Sequence, residues 1–310
     1  MLAACAPVVA PRGLANDTPA IEEHDFLTRD GLRLPLRQWD AKNPAAVIVA
    51  LHGMSDYSEA FDMPGPYWAA HGITTYAYDQ RGFGAAPDPG IWAGSKVMRR
   101  DLSDFVEAVH GRYPGLPVYA LGESMGAAVV LSALSSKDPP RVSGAILCAP
   151  AVWGRADMPL SYRVTLWLAA HVTPWLHVSG EGLHIWPSDN IAMLRMLSRD
   201  PLYQHSARAD QVYGLVNLMD AARAAPKHLA DPPPILFLYG AKDQVIPPEP
   251  TKAVIAALGD KADVHRYPNG YHMLLRDLDA KTVWSDIVAW IDKAGEARTP
   301  EKMPALTVGR

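Results

Sequence analysis

A serine, an aspartate and a histidine follow one another along this chain in an order that nucleophilic catalysis can use. Ser124 lies at the centre of a Gly-x-Ser-x-Gly motif at residues 122–126, and Asp243 and His272 come after it. A serine hydroxyl is a weak nucleophile at neutral pH, so it needs a nearby base, and the base needs an orienting partner. Because the motif is short and arises by chance in many chains, the elements around it decide whether it is catalytic.

The residues around the motif predict a sharp turn from a strand into a helix. Residues 118–121 form a short apolar run typical of a buried strand, and small and apolar residues continue to about residue 135 as a helix. The two glycines of the motif have no Cβ, so the strand and the helix can approach each other closely. Such a nucleophile elbow would present the Ser124 hydroxyl above the sheet and leave the Met125 N–H free at the helix start.

Asp243 is the candidate acid. It follows the apolar run 235–239 by a short turn that contains a glycine, so its carboxylate is expected at the carboxyl edge of the sheet. A solvated turn aspartate is the structural alternative, because such residues are common after strands. Three other aspartates are weaker candidates because none follows a predicted strand: Asp210, Asp220 and Asp231.

His272 is the candidate base among the 11 histidines of the chain. It lies 272 − 243 = 29 residues after Asp243, past the last predicted strand and before the last predicted helix. Most other histidines lie in a predicted insertion or on helix surfaces. His52 is the main rival, but it precedes Ser124 and ends a strand that is expected to supply a different part of the site.

Two backbone N–H groups are expected to bind the oxygen that becomes negative when the nucleophile attacks a carbonyl. One is the N–H of Met125, the residue after Ser124. The other is the N–H of Met54, because it follows the predicted strand 45–51 and the preceding His-Gly pair allows a tight turn. Another loop at the same edge, residues 79–84, is expected to be structural and braced by its aspartate and its arginine.

Strands alternate with helices on both sides of the motif, which predicts an α/β fold with a mostly parallel central sheet flanked by helices. The predicted core comprises residues 21–151 and 232–295, and a helical insertion at 152–231 interrupts it. The insertion begins at the carboxyl edge of the sheet, where open parallel sheets bind ligands, so it can cover the site as a cap or lid. Residues 1–20 are predicted to be a flexible N-terminal segment, and residues 296–310 a C-terminal tail.

The individual elements follow from apolar periodicity and turn residues. An Asp-Gly pair at 30–31 predicts a hairpin. The predicted strands occupy residues 23–29, 32–39, 45–51, 73–78, 118–121, 144–149, 235–239 and 262–267, and the other predicted helices occupy residues 57–71, 95–112, 250–258 and 281–294.

The composition is that of an ordinary globular protein and excludes several classes of function. Of the 310 residues, 49% are apolar and 20% are charged, and the formal net charge is −4. No basic stripe is present, which argues against nucleic acid as a partner. No apolar run reaches the roughly 18 residues that a membrane-spanning helix needs. Cys148 lies in an apolar run and is expected to be a buried core residue without a disulfide partner.

The start of the chain leaves two interpretations open. Leu-Ala-Ala-Cys, ending at Cys5, resembles a bacterial lipobox, in which signal cleavage leaves a lipidated cysteine. The basic region and the long apolar region that should precede a lipobox are missing. Either residues 1–20 are the tether of a cell-envelope lipoprotein whose start is trimmed or misassigned, or the match is chance in an Ala-rich stretch and the protein is cytoplasmic.

Taken together, these motifs are similar to the α/β-hydrolase superfamily, and within it to the branch of monoacylglycerol lipases, lysophospholipases and serine aminopeptidase S33-type hydrolases. The resemblance covers residues of about 23–150 and 232–294, and it includes the segments 51–53, 78–84, 112–118 and 270–274 besides the candidate residues above. It implies the α/β-hydrolase fold with a helical cap. It also implies a carboxylic ester hydrolase that needs no metal and no organic cofactor.

The chain departs from the family pattern at two places near the candidate site. Glu123 stands where the family often has histidine before the nucleophile, and Ser-Asp-Tyr at 55–57 stands where a Gly-Glu-His run is common. A carboxylate beside the nucleophile could tune His272 or disfavour anionic substrates. We favour a third interpretation, in which Glu123 only hydrogen-bonds a neighbouring loop.

The insertion cannot be matched to a known cap residue by residue, so the substrate has to be inferred from its chemistry. Residues 161–176 form an apolar stretch that contains tryptophan. These side chains could pack the cap onto the core, which we favour, or line an acyl-chain pocket, or contact a lipid surface. The candidate substrate-binding residues are His52, Glu123, Trp153, Trp167 and Trp175.

The sequence therefore predicts a serine ester hydrolase for monoacylglycerols or other medium-to-long acyl esters. Lysophospholipids, and amide or peptide bonds, are alternative substrates within the same fold. Epoxide hydrolysis and dehalogenation are disfavoured, because Ser124 stands where those relatives carry aspartate. A non-catalytic binding protein that retains the fold is the alternative of another class. The predicted partner is a small acyl ester, with membrane contact through the cap or a lipidated Cys5 as an addition, and the sequence gives no oligomeric state.

Overall fold

The computed structural model describes residues 6–180, 182 and 184–296 of the chain. Cys5 and residues 297–310 lie outside the described residues, so the lipobox and most of the predicted tail have no structural counterpart here. The strands in chain order are β1 (Ala20–Ile21), β2 (Asp25–Leu27), β3 (Arg33–Trp39), β4 (Ala46–Leu51), β5 (Ile73–Tyr78), β6 (Val118–Glu123), β7 (Gly144–Cys148), β8 (His177–Val178), β9 (Ala207–Arg208), β10 (Ile235–Gly240) and β11 (Ala262–Tyr267).

The α-helices occupy most of the segments between these strands, and short 3₁₀ turns complete them. The α-helices are α1 (Pro64–Ala70), α2 (Ser95–Arg112), α3 (Met125–Leu134), α4 (Leu160–Val172), α5 (Ile191–Leu197), α6 (Ala209–Ala224), α7 (Pro248–Leu258) and α8 (Ala280–Glu296). The 3₁₀ turns lie at Ser58–Phe61, Arg155–Asp157, Ala225–His228 and Gly259–Lys261. No helix within the described ranges is long and apolar enough to cross a bilayer.

One large sheet organises the described chain, with the strand order β1-β2-β3-β5-β4-β6-β7-β10-β11. From β5 to β11 every neighbouring pair is parallel, whereas β1, β2 and β3 are paired antiparallel at one edge. β4 and β6 are buried along their whole length, as continuous apolar runs in a parallel sheet should be. Their carboxyl ends lie side by side near the centre of the sheet, where the candidate nucleophile follows β6.

Local sequence explains most elements. The Asp-Gly pair at 30–31 joins β2 to β3 as predicted, with Leu27 opposite Arg33 and a positive φ of 80° at Gly31. The helix predicted over 57–71 is instead two pieces, a 3₁₀ turn at Ser58–Phe61 followed by α1. Pro64 explains the break, because proline has no N–H to continue a preceding helix but fits the first position of a new one.

Two apolar layers cover the faces of the sheet. On one face α2, α3 and α6 bury residues such as Phe105, Val129 and Leu218 against β4 and β6. On the other face α1 and α8 bury residues such as Trp68 and Ile287. Cys148 is buried and free in this core, as its apolar surroundings predict.

The insertion at 152–231 is mainly helical, but it also contains a pair of two-residue strands, β8 and β9, that the sequence did not predict. Within it α4 packs on α6, and α6 packs on α3 of the core. Two residues of the N-terminal segment contact α6 and the loop before α2. Val8 donates its backbone N–H to Asp210 Oδ2 at 3.2 Å, and Val9 forms a β-bridge with Trp92.

Candidate active site

Ser124 occupies the turn between β6 and α3 with φ 52° and ψ −110°. A non-glycine residue in this region is strained, and such strain persists only where the surroundings hold it. Two backbone hydrogen bonds hold the turn. Ser124 N–H donates to the carbonyl of Cys148 at 2.9 Å, and the Ser124 carbonyl accepts from Ala151 N–H at 3.0 Å.

The two glycines of the motif are required by close packing. A Cβ on Gly126 would lie 2.1 Å from the carbonyl oxygen of Leu51, and one on Gly122 would lie 2.3 Å from the Ala127 nitrogen. Neither position can accept a side chain without moving the strand or the helix. The two glycines therefore allow the first turn of α3 to pack closely against β4 and β6.

The structure brings Ser124, His272 and Asp243 into one hydrogen-bonded row. His272 Nε2 lies 2.9 Å from Ser124 Oγ, and His272 Nδ1 lies 2.8 Å from Asp243 Oδ2. An ionised carboxylate only accepts, so Nδ1 carries the ring proton and Nε2 is left to accept the proton of the serine hydroxyl. The histidine is buried, with 6% of its surface exposed.

The Asp243 carboxylate is fixed by its own loop after β10. Its Oδ1 accepts the backbone N–H groups of Val245 at 2.8 Å and Ile246 at 3.0 Å, while Oδ2 faces His272. Burial would raise the pKa of Asp243, but the nearby His272 and these hydrogen bonds outweigh it, and the net pKa is lowered. For His272 burial would lower the pKa, but the Asp243 carboxylate outweighs it and the net pKa is raised.

Segments of the insertion hold the loop that carries His272. Met273 N–H donates to the carbonyl of Pro187 at 2.9 Å, and Asn190 Nδ2 donates to the carbonyl of Arg276 at 2.9 Å. Asp277 adds a third link, because it accepts the Ser188 hydroxyl at 2.6 Å and the Tyr271 N–H at 2.7 Å.

The loop after β4 carries the N–H of Met54 towards Ser124, the candidate nucleophile. An ideal Cβ on Gly53 would lie only 3.3 Å from Ser124 Cβ, which measures how closely this loop approaches the elbow. The N–H groups of Met54 and Met125 donate to no acceptor within the described part of the chain. Two unpaired donors beside a serine hydroxyl can bind an oxygen that carries negative charge.

His52 is engaged in holding that loop. Gln80 N–H donates to its Nε2 at 2.9 Å, so the ring proton must be on Nδ1, which lies 2.8 Å from the carbonyl of Gly53. Burial lowers the pKa of His52 and keeps the ring neutral. With no exposed surface and both nitrogens occupied, His52 contributes to the shape of the loop and presents no group to a substrate.

The other candidate substrate-binding residues lie in different surroundings. Glu123 is buried, and Trp153 is half-buried against the core. Trp167 and Trp175 are 50% and 56% exposed. The expectation that the stretch 161–176 packs the cap onto the core is therefore wrong for most of α4, where Ala170 alone is buried.

Arg276 is the site residue that sequence reasoning missed. Its Nη2 lies 3.1 Å from Glu123 Oε2 and also contacts Asp56 Oδ2. We expected Glu123 to hydrogen-bond a neighbouring loop. The structure shows that its partner is Arg276, on the loop that carries His272. The only indication in the sequence was the coincidence of two unusual carboxylates, at 56 and 123, with an arginine four residues after the candidate base.

The loop at 79–84 is braced by its aspartate and its arginine, but not by one against the other. Asp79 accepts the backbone N–H groups of Ser58 and Ala85, each at 2.9 Å. Arg81 instead pairs with Asp30 at 2.6 Å and with Asp101 at 2.6 Å.

Among the residues that the structure describes, no three His, Cys, Asp or Glu side chains are grouped as metal ligands.

Comparison with known proteins identifies a family and several relatives. A family model described as serine aminopeptidase, S33, matches residues 42–279. A monoacylglycerol lipase of Mycolicibacterium smegmatis is 27% identical over 286 residues, which cover 87% of this chain and 96% of that protein. The monoglyceride lipase of Homo sapiens is 26% identical over 310 residues, which cover 94% of this chain and 98% of that protein.

Solved structures show the same architecture. A soluble variant of the monoglyceride lipase of Saccharomyces cerevisiae, in complex with a substrate analogue, matches with a TM-score of 0.75 at 20% identity, over 92% of this chain and 99% of that one. A monoacylglycerol lipase of Paleococcus ferrophilus matches with a TM-score of 0.71 at 19% identity, over 84% of this chain and 99% of that one. These likenesses confirm the predicted α/β-hydrolase fold.

Proposed function

This chain belongs to the serine aminopeptidase, S33, family, and we propose that it cleaves monoacylglycerols or related acyl esters through an acyl-enzyme. That it is a carboxylic ester hydrolase follows from the family and from its monoacylglycerol lipase relatives. The observation that carries the proposed mechanism is the row of hydrogen bonds from the Ser124 hydroxyl to His272 and from His272 to Asp243.

In the first half of the reaction Ser124 Oγ attacks the ester carbonyl. His272 Nε2, 2.9 Å away, takes the hydroxyl proton and then gives it to the departing alkoxide. Asp243 keeps the ring in the tautomer whose Nε2 is free to accept, and it stabilises the imidazolium that forms. The products are the free alcohol and an acyl ester of Ser124.

In the second half water replaces the alcohol. His272 removes a proton from the water, the resulting hydroxyl group attacks the acyl carbonyl, and the proton returns to Ser124 Oγ as the carboxylic acid leaves. In both halves the carbonyl oxygen becomes negative, and we assign its two donors to the N–H groups of Met54 and Met125. The absence of an acceptor for either group in the described chain supports this assignment.

The proposed substrate class rests on the relatives and on the surface of the cap. The relatives named above are lipases of monoacylglycerols, whose substrates pair a small polar alcohol with a long apolar chain. In this chain α4 and the residues after it expose a group of large apolar side chains: Leu160, Tyr162, Val164, Trp167, Leu168, Val172, Trp175 and Leu176. A surface of this kind suits an acyl chain or a lipid aggregate better than a small polar ester.

We assign the insertion at 152–231 the role of a cap whose α4 region, including Trp167 and Trp175, meets the acyl chain or the lipid that presents it. Peripheral membrane contact through this surface belongs to the same proposal. Lysophospholipids are the near alternative, since they share the single acyl chain. Amide or peptide substrates are a further alternative, which the name of the family keeps open.

An active-site label separates this proposal from a binding protein that only retains the fold. A fluorophosphonate probe reacts with a serine that an adjacent base activates. We expect stoichiometric labelling of Ser124 in the folded wild-type protein and none in Ser124→Ala. Absence of labelling in the wild-type protein would refute the catalytic proposal.

A hydrolysis profile identifies the substrate. Monoacylglycerols, p-nitrophenyl esters of graded acyl length, lysophosphatidylcholine and a peptide amide should be compared by kcat/KM at one pH. We expect monoacylglycerols and esters of medium-to-long chains to exceed acetate esters, lysophospholipids and amides. A maximum at lysophosphatidylcholine or at the amide would replace monoacylglycerols as the assigned substrate.

A further inference from the structure

Three charged side chains form a buried cluster beside the nucleophile, which we call the Arg276 cluster: Asp56, Glu123 and Arg276. Arg276 Nη2 lies 3.1 Å from Glu123 Oε2 and contacts Asp56 Oδ2. The exposed fractions of the side chains are 2% for both carboxylates and 5% for the guanidinium. Burying three charges is costly unless each is well paired, so the position of this cluster needs an explanation.

Each member of the cluster belongs to a different loop of the proposed site. Glu123 is the last residue of β6 and precedes Ser124. Asp56 lies two residues after Met54, and Arg276 lies four residues after His272. One guanidinium therefore links the loops that carry the nucleophile, one oxyanion donor and the base.

We propose that Arg276 and Glu123 are positioning residues for ester hydrolysis: Arg276 sets the mutual placement of the three loops, and the negative charge of Glu123 stabilises the protonated form of His272. The inference rests on the proposed function of Ser124 and His272. It adds two residues that do not touch the reacting atoms and act through residues that do.

The pairing within the cluster is incomplete. Two carboxylates face one guanidinium, so with both ionised the cluster carries a net charge of 1 − 2 = −1. Glu123 Oε1 and Arg276 Nε are buried and have no hydrogen-bond partner in the described chain. A cluster that only stabilised the fold would be expected to satisfy these atoms. An excess of negative charge instead serves a site in which positive charge appears on a nearby histidine.

The surroundings of His272 are consistent with this role. Burial would lower the pKa of His272, but the charges of the nearby Asp243, Glu123 and Asp277 carboxylates favour the protonated ring and outweigh it, so the pKa is raised. A higher pKa makes His272 a stronger base, at the cost of a smaller neutral fraction at low pH.

Burial and nearby charged groups act on the pKa of Glu123 in opposite directions. Burial raises the pKa of Glu123, and Asp56 adds to this, while Arg276 and His272 oppose it. Burial raises the pKa of the nearby Tyr203 hydroxyl, in the insertion, to about 12, so it stays neutral. The thiol of Cys148 is also neutral, because burial raises its pKa.

The charge of Glu123 is tested by Glu123→Gln, which retains the shape and an oxygen that can accept from Arg276. The pH dependence of kcat/KM for a p-nitrophenyl ester reports the base in the free enzyme. We expect the acid limb to move to lower pH by about 0.5–1 unit. We also expect kcat on the plateau to fall about threefold to tenfold, because the imidazolium of the transition state loses a stabilising charge.

The positioning by Arg276 is tested by Arg276→Lys, which retains the positive charge but replaces the Nη2 atom that contacts both carboxylates with an ammonium group on a flexible stem. We expect the acid limb to stay in place and kcat to fall about threefold to tenfold with little change in KM. The matched controls are Glu107→Gln and Arg141→Lys, which alter a glutamate–arginine pair on the surface. Both controls should retain wild-type kinetics.

A fully neutral variant, Asp56→Asn/Glu123→Gln/Arg276→Met, covers the case in which a single change prevents folding. Neutral replacement of a whole buried ionic group is often tolerated by the fold. We expect this protein to fold and to show both changes, a shifted acid limb and a reduced kcat. Wild-type kcat and an unmoved acid limb in the folded variants would overturn the inference.

Labelling distinguishes this failure from a failure of the proposed function. If the wild-type protein reacts with a fluorophosphonate probe at Ser124 and Glu123→Gln leaves the acid limb unmoved, the role of Glu123 is wrong while the function stands. If the wild-type protein does not react, the proposed function itself fails and the inference fails with it.

Discussion

The elbow with its neighbouring loops differs from the surface of α4 in the kind of side chain that it presents and in how those side chains are held. At the elbow the polar side chains are hydrogen-bonded to one another, as the bonds among Ser124, His272 and Asp243 illustrate. Along α4 most of the large apolar side chains are exposed, and Trp167 is 50% exposed. The proposed reaction needs precise geometry in the first region, while an acyl chain needs only an apolar surface in the second.

The insertion itself spans both kinds of region. Its segments 187–190 and 200–204 bond to the loops of the site: Pro187 accepts Met273 N–H at 2.9 Å, and Gln204 N–H donates to the Ser55 carbonyl at 2.8 Å. The helix α4 packs on α6. The insertion therefore contacts the proposed site at one end and exposes an apolar surface at the other, and the two ends can be perturbed separately.

Replacement of Ser124 should have the largest effect of all. Ser124→Ala removes the nucleophile but leaves the bonds of the turn, which involve the backbone. We expect kcat to fall roughly 10⁵–10⁶-fold, as in other enzymes of this mechanism, while the melting temperature is retained. The control is Ser135→Ala at the far end of α3, which should be fully active. Substantial turnover by Ser124→Ala would mean that the elbow is not the reactive region.

Replacement of Asp243 should have the next largest effect. Asp243→Asn can still accept the N–H groups of Val245 and Ile246, but it no longer stabilises the imidazolium or fixes the ring tautomer. We expect a loss of about 10⁴-fold in kcat. Asp286→Asn, which alters an aspartate bonded to Tyr267 away from the row, should be close to wild type. Equal activities of the two variants would contradict the assignment of the acid.

Much of the first region could be predicted from the sequence, because its features are local. The strand predicted at 73–78 is β5, the helix predicted at 95–112 is α2, and the strand predicted at 262–267 is β11. Apolar periodicity and turn residues specify such elements within a few residues. The structure also brings Ser124, Asp243 and His272 within hydrogen-bonding distance, because parallel strands place their carboxyl ends along one edge.

The rest depends on contacts between distant parts of the chain. Arg276 meets Glu123 across 153 residues and Asp56 across 220, and no local pattern encodes either contact. The apolar run of α4 misled the prediction for a different reason. An apolar stretch indicates that water is unfavourable there, but it does not say whether the protein core or a ligand covers it. The strands β8 and β9 are too short for periodicity to reveal.

The fall in kcat/KM at acid pH should depend on the ionisation of His272 and not on the surface of α4. Only the neutral imidazole can accept the proton of Ser124, so activity falls as His272 becomes protonated. The pKa of His272 is raised, so the midpoint of the fall in kcat/KM should lie above its ordinary value of 6.5, with about a tenfold loss per unit below it. A soluble p-nitrophenyl acetate removes any contribution of lipid packing. A rate independent of pH between about 5 and 8 would exclude His272 as the base.

The apolar region should show the smallest effect, and one that depends on the substrate. Trp167→Ser/Trp175→Ser removes two side chains that are about half exposed, so the free energy of unfolding should change by only about 0.5 kcal/mol for each. KM for a long-chain monoacylglycerol should rise several-fold, because each half-exposed ring contributes roughly 0.5 kcal/mol when it covers apolar surface. For p-nitrophenyl acetate, which has no chain to cover, kcat/KM should be unchanged.

The matched control for the tryptophans is Leu14→Ser, which removes an exposed apolar side chain far along the sequence from the cap. This variant should retain the wild-type kinetic constants for both the long-chain monoacylglycerol and p-nitrophenyl acetate. If the double tryptophan variant affects acetate and long-chain esters equally, then α4 acts on the polar region and is not an independent surface. If it affects only substrate presented in vesicles or micelles, and not the same ester below its critical micelle concentration, the surface meets the lipid aggregate and not the single acyl chain. The substrate dependence therefore shows whether the exposed side chains of α4 contact a single acyl chain, a lipid aggregate or neither.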